Sequence, residues 1–190
     1  MAKDVAADPV RVFGRQVRSR SAEHAAAIRV LGREDLHSVA VGILRQELDS
    51  MVRVMYLLSL KDQGERRRLI EDSVRGRRWR GANGRTITDR EMVRLANALN
   101  GWAESVYRFG CAFIHLSNFH DRLARDPFKA LPTSEQREII EHVEHYHGHL
   151  ATKTPAMEDL LPLIPRVFTK VADNLRCYLD SLERGGHLDQ

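Results

Sequence analysis

A chain of 190 residues, 43% hydrophobic and 29% charged, has the size and balance of one folded domain able to bury a core. Its 30 Lys and Arg against 26 Asp and Glu leave a formal net charge of +4, which allows a nucleic-acid partner without requiring one. Cys111 and Cys177 show no CxxC or zinc-ligand spacing, no apolar run approaches the ~20 residues of a membrane span, and MAKDVAADPVRV lacks the apolar core of a secretory signal. The expectation is therefore a cytoplasmic chain with free thiols, no membrane contact and no cofactor.

Residues 1–8 are expected to be a disordered tail, and 9–190 a single α-helical domain with an Arg- and Gly-rich loop at 76–87. Asp8 offers an N-cap and Pro9 a first helical residue, opening a helix to about Leu31 that Gly32 ends. Glu34 to Leu60 is the strongest helix, with Val41, Leu44, Leu48, Met51, Met55 and Leu58 as its core stripe, His37 on the same line and Glu47 at the stripe's edge. A shorter helix from Glu65 to about Arg75 follows a break at Gly64. The stretch GRRWRGANGRT, Gly76 to Thr86, has three glycines and no periodicity and reads as the least ordered internal segment. Thr88 and Glu91 have capping-box spacing, so a helix starts near Asp89 and carries Met92, Leu95, Ala96 and Leu99 to the Asn100-Gly101 stop.

The segment GWAESVYRFGCAFIHLSNFHD, Gly101 to Asp121, reads as one amphipathic helix ending around Arg125, before Asp126-Pro127. At ~100° per residue, Val106, Phe109, Phe113, Leu116 and His120 fall within roughly 40° of Trp102, which puts His120 on the centre line of a core stripe. Thr133 with Gln136 predicts a capped helix to Gly148. Thr154-Pro155 opens the last helical region, which Pro162 and Pro165 break once before Val167 to Glu183 runs to Gly185-Gly186. With no strand-like alternation and no repeat, the fold class is all-α, an antiparallel bundle of about six or seven helices.

Three constellations can carry chemistry. Arg108 and His115 are seven apart, which places them on one helical face about 10 Å apart along the axis. Beside a phosphate, such an imidazole takes the proton of a 2′-hydroxyl while the guanidinium stabilises the developing charge. The same type of spacing recurs at Arg18 with His24 and at Arg137 with His142, so what singles out Arg108 and His115 is their largely apolar helix. The alternative role is satisfaction of buried hydrogen bonds. His142, His145, His147 and His149, with Glu138, Glu141 and Glu144, have spacings that can supply metal ligands from one helix, although a solvated helix face is the better explanation. Arg75, Arg77, Arg78, Arg80 and Arg85 surround Trp79, a pattern that grips phosphates and stacks a base, or else a solvated loop whose arginines pair with acids. No phosphate loop, nucleophile elbow, His-Glu-x-x-His or convincing helix-turn-helix spacing is present.

Two segments together resemble the HEPN superfamily and bacterial helical families bordering it. LRQELDSMVRVMYLLS, Leu44 to Ser59, is similar to its Arg, Glu and apolar Tyr-containing run. YRFGCAFIHLSNFHD, Tyr107 to Asp121, resembles its second signature, an Arg, four to six intervening residues and then a His, or a Leu-Ser followed shortly by a His (here His120), with Phe109 where a polar residue is usual. The resemblance implies an α-bundle homodimer acting as a metal-independent ribonuclease in toxin–antitoxin, abortive-infection or other defence systems. RNA would be the substrate and an antitoxin or other protein a partner. Arg108 and His115 would be the catalytic pair and Glu47 the acid that orients them; the Arg-rich region from Arg66 to Arg90, a candidate on its own residues, would then serve as the RNA grip. A non-catalytic helical interaction protein and a metal-binding bundle are the other readings.

Overall fold

The computed structural model describes residues 8–115, 117–120 and 126–188. The expected tail at 1–7, together with Leu116 and residues 121–125 at the far end of the long helix expected from Gly101, lies outside them. Among the described residues the fold is all-α, with seven helices of 12 residues or more and one single-turn helix: α1 Pro9–Arg33, α2 His37–Ser59, α3 Gln63–Val74, α4 Asp89–Asn100, α5 Ala103–Ile114, α6 Thr133–His147, α7 Met157–Leu160 and α8 Ile164–Glu183. None of these helices is long and apolar enough to cross a membrane.

The α2 helix is the centre of the bundle, packed by α1, α4, α5 and α8. Val41, Leu48, Met51, Val52, Val54, Met55, Leu57 and Leu58 are all fully buried, so apolar residues surround the helix instead of lining one stripe. Each removes a side chain from water for about 1.5–3 kcal/mol. Consequently the polar residues of α2 must find partners inside the protein. Glu47, expected at the edge of the stripe, has no exposed surface.

The α1 helix begins as the sequence predicts, with the Asp8 carboxylate accepting from Val10 N at 3.4 Å and Pro9 in the first turn. It ends at Arg33, not before Gly32. Gly32 is helical and lies against Pro165 of α8, while Asp35 makes the turn with φ of 52°. Arg18, in the first half of α1, donates to Glu183 at 2.6 Å and Asp180 at 2.7 Å at the far end of α8, so α1 and α8 are antiparallel. Asp62, not Gly64, defines the start of α3, its carboxylate accepting from Gly64 N and Glu65 N. In α8, Pro165 is tolerated in the first turn, where its missing N–H would have no helical partner.

The segment expected to be least ordered is a compact hairpin. Arg80 and Thr86 form a β-bridge, Gly81 N donates to Arg85 O at 2.9 Å, and Arg68 donates to Arg80 O at 2.7 Å. Trp79 anchors it, buried against Tyr56 with Arg53 above its ring. The Thr88–Glu91 capping box then starts α4 as expected.

The largest correction concerns the helix from Gly101. The α5 helix stops at Ile114 and His115 is extended, with ψ of 145°. Ser117 is the cause: its hydroxyl donates to Ala112 O at 2.6 Å, a local bond that competes with the helical ladder. The chain turns back through a short 3-10 segment, Asn118–His120, and Phe119 becomes buried against Phe113 and Phe109. His120 is exposed, so it is not on a core stripe. In α6, Pro132 occupies the N-cap position, and the Gln136 side chain donates to Leu131 O at 2.8 Å instead of closing a capping box.

Candidate functional site

The deepest polar group belongs to α2. Glu47 Oε2 accepts from His24 Nδ1 at 2.6 Å, and Ser21 Oγ donates to Glu47 Oε1. His24 and Ser21 lie one turn apart on α1, so a single face of that helix supplies both donors. Arg45 lies about 200° around α2 from Glu47 and faces α5. Its guanidinium covers the Tyr107 ring at 3.8 Å and pairs with Asp49. Gly110 makes that approach feasible, since a Cβ there would stand 2.8 Å from Arg45 Cβ. Arg66, also buried, donates to Gly186 O, Leu58 O and Leu60 O and meets His187 Nδ1 at 2.6 Å. These charged groups are held by the fold itself.

A cleft of about 710 Å³ runs between α5 and α6. Asparagines set its α5 wall: Asn100 Oδ1 accepts from Trp102 N and Ala103 N at 3.1 Å, and Asn97 Oδ1 from Glu104 N at 3.1 Å. Gly101, with φ of 73°, makes the turn that brings Trp102 and Glu104 beside α6. On α6, the three-and-four spacing of Glu138, Glu141, His142 and His145 turns them to the same wall, with Glu144 and Tyr146 at its margin. Glu104, Glu141 and Glu144 form no ion pair among the described residues.

Beside this cleft, Lys170 of α8 lies against two of the rings that line it. Its Nζ lies 2.7 Å from the centroid of the Tyr146 ring and 5.5 Å from that of Trp102, within cation–π range of both. Burial pushes its ammonium down to about 8. His142 packs between Trp102 and Tyr146, with centroids at 6.0 Å and 5.0 Å, and His147 at 5.6 Å. Both ring nitrogens of His142 and Nε2 of His147 are buried without a hydrogen-bond partner among the described residues. Burial, with His147, Lys170 and His145 adding positive charge nearby, pushes His142 down to about 4. His147 is lowered by burial, Lys170 and Arg166.

The residues singled out in the sequence fall in separate places. Arg108 lines the cleft but is held by α6, donating to Glu138 Oε2 at 2.5 Å and lying 3.5 Å from Glu135. His115 is exposed at the end of α5, beside the exposed Ile114, and does not line the cleft. Glu47 faces α1, away from α5, so it does not orient Arg108 or His115. In the hairpin, Trp79 is 3% exposed and does not present a ring to a base. Arg75 lies 3.8 Å from Glu71, Arg77 3.9 Å from Asp72, Arg85 pairs with Glu91, and Arg80 donates to Gly84 O. Arg78 makes no ion pair among the described residues. Among the same residues, no three His, Cys, Asp or Glu come together as a metal-ligand set.

Lys170, Tyr146, Trp102 and Asn97 were not distinguished as site residues by spacing. The only signal for Lys170 is its position at the edge of an apolar stripe, between Val167 and Val171. Comparison of the chain with protein-family models, with curated proteins and with solved structures finds no match in any of the three.

Proposed function

We propose that this chain is a non-catalytic helical interaction protein whose recognition surface is the α5–α6 cleft. The observation that carries this reading is the setting of Arg108. Its guanidinium is matched by Glu138 and Glu135 in a cleft that also presents Glu104, Glu141 and Glu144. A phosphate entering there meets net negative charge and must also displace two carboxylates from the cation meant to receive it. Glu47, which would have to orient a catalytic pair, is engaged elsewhere. The test is cleavage of a mixed RNA pool in EDTA by the wild type, Arg108→Ala and His115→Ala. The expected result is no cleavage by any form; cleavage lost on His115→Ala at an unchanged melting temperature would overturn the reading.

One observation favours a ribonuclease instead. The His115 imidazole is exposed, beside the half-exposed Ile114 and seven positions beyond Arg108. A second copy docking on the α5 ends would bury Ile114 and set two such imidazoles across a two-fold axis. That reading predicts a homodimer by sedimentation, twice the 21.7 kDa of one chain, and metal-independent cleavage.

A further inference from the structure

Resting on the interaction reading above, we propose that the α5–α6 cleft receives a lysine side chain from a basic segment of a partner protein, and that Lys170 is an internal occupant which this lysine displaces. The first observation is that a cation already sits on the aromatic wall. Lys170 Nζ lies over the Tyr146 ring and within 5.5 Å of Trp102, and both rings also line the open cleft. Those rings therefore accept an alkylammonium group, the ligand chemistry that a ring quadrupole favours.

The second observation is where the carboxylates are. Lys170 forms no ion pair among the described residues, whereas Glu104, Glu141 and Glu144 stand on the cleft side without one. A lysine arriving from solvent meets these acids and the two rings together, a combination that Lys170, entering from α8, does not reach. Exchange replaces one ammonium by another on the same rings. Lys170 then regains water by swinging on its flexible four-carbon stem, and the incoming lysine gains carboxylates.

Other ligand classes fit less well. Phosphates and acidic segments are opposed by the glutamates. No ligand set for a metal ion is assembled among the described residues. A volume near 710 Å³ admits several side chains of a segment. The half-exposed Tyr146 keeps the aromatic wall in contact with solvent.

The experiment follows the two indole N–H resonances by NMR during titration with an acetylated, amidated hexalysine. Trp102 reports the cleft, and Trp79, buried in the hairpin against Tyr56, is the internal control. Hexalysine is expected to shift Trp102 and leave Trp79 in place, while hexaserine and hexaglutamate shift neither. The Glu141→Gln, Glu144→Gln double variant should bind hexalysine about tenfold more weakly. Lys170→Met and Lys170→Gln should each bind it about threefold more tightly, because the competing occupant is gone.

No Trp102 shift with hexalysine, in the wild type and in both Lys170 variants, would overturn the proposal. Spermidine binding as tightly as hexalysine would overturn the assignment to a protein segment. A Trp102 shift with hexaserine or hexaglutamate alone would remove the lysine assignment and leave the interaction reading standing. The EDTA cleavage assay tests that reading separately.

Discussion

Glu47 and His142 are both polar side chains turned into the bundle, one between α1 and α2, the other among α5, α6 and α8. Glu47 has a fixed donor for each oxygen, Ser21 and His24, and is sealed from solvent. Among the described residues His142 has neither nitrogen hydrogen-bonded, and it is surrounded by Trp102, Tyr146, His147 and Lys170, two of which are basic. The first arrangement locks two helices in one register, since only one placement of α1 satisfies the carboxylate. The second leaves α6 and α8 with polar groups that gain from any change bringing them partners or water. The difference separates a matched polar contact from an unmatched one: the α1–α2 contact is satisfied within the fold, and the polar groups beside the cleft are not.

Breaking the matched side gives the largest expected effect. Glu47→Ala leaves the buried His24 and the half-buried Ser21 without their acceptor, and urea denaturation is expected to show a loss of about 3–5 kcal/mol. A loss below about 1 kcal/mol would mean the contact is not a lock. On the other side, acid is the probe. His142 has its folded value pushed down to about 4 from an ordinary 6.5, so between these values the unfolded chain holds the proton and the folded chain does not. Its stabilising contribution is complete above pH 6.5 and is lost as pH falls toward 4, by up to about 3 kcal/mol. Denaturation curves at pH 7.5 and pH 5 should show this slope in the wild type and a flatter one in His142→Phe.

Removing the unpaired cation has a smaller effect of opposite sign. Lys170 is charged at pH 7 in both states but partly dehydrated when folded, so Lys170→Met should raise stability by about 1 kcal/mol after solvent screening. For the wild type, stability should rise with pH between about 8 and 10.5, as the folded lysine releases its proton first. The smallest effect belongs to the exposed pair at the cleft: Arg108→Ala should change stability by less than about 1 kcal/mol in thermal melts. A larger drop would make Arg108 part of the scaffold.

The fold was legible wherever one helix's own residues decide it. The stripe of α2, the Thr88–Glu91 box and the Asp8-Pro9 start all depend on neighbours a turn away. The end of α5 was not legible, because Ser117 competes with the ladder through one hydroxyl, and periodicity continues past it to His120 without any trace of the break. The site was less legible than the fold. Spacing paired Arg108 with His115 and Arg18 with His24, but the actual partners lie on other helices: Glu138, Glu183 and Glu47. Arg residues of the hairpin read equally as grip or as ion pairs until the acids on α3 and α4 are placed. Lys170 acquires its character only when α5 and α6 bring Trp102 and Tyr146 to it, a tertiary event that no local pattern encodes.

The central position of α2 also has a meaning in time. It is covered on one side by α8, whose first residue comes roughly 100 residues after the last of α2. At a synthesis rate of roughly 5–20 residues per second, that side stays uncovered on the ribosome for about 5–20 s after α2 is made. During that interval α1, α4 and α5 can shield the rest of the helix, while the apolar surface awaiting α8 is open to neighbouring nascent chains. Slower translation between Ser59 and Ile164 lengthens this window, and the yield of folded protein should fall with it.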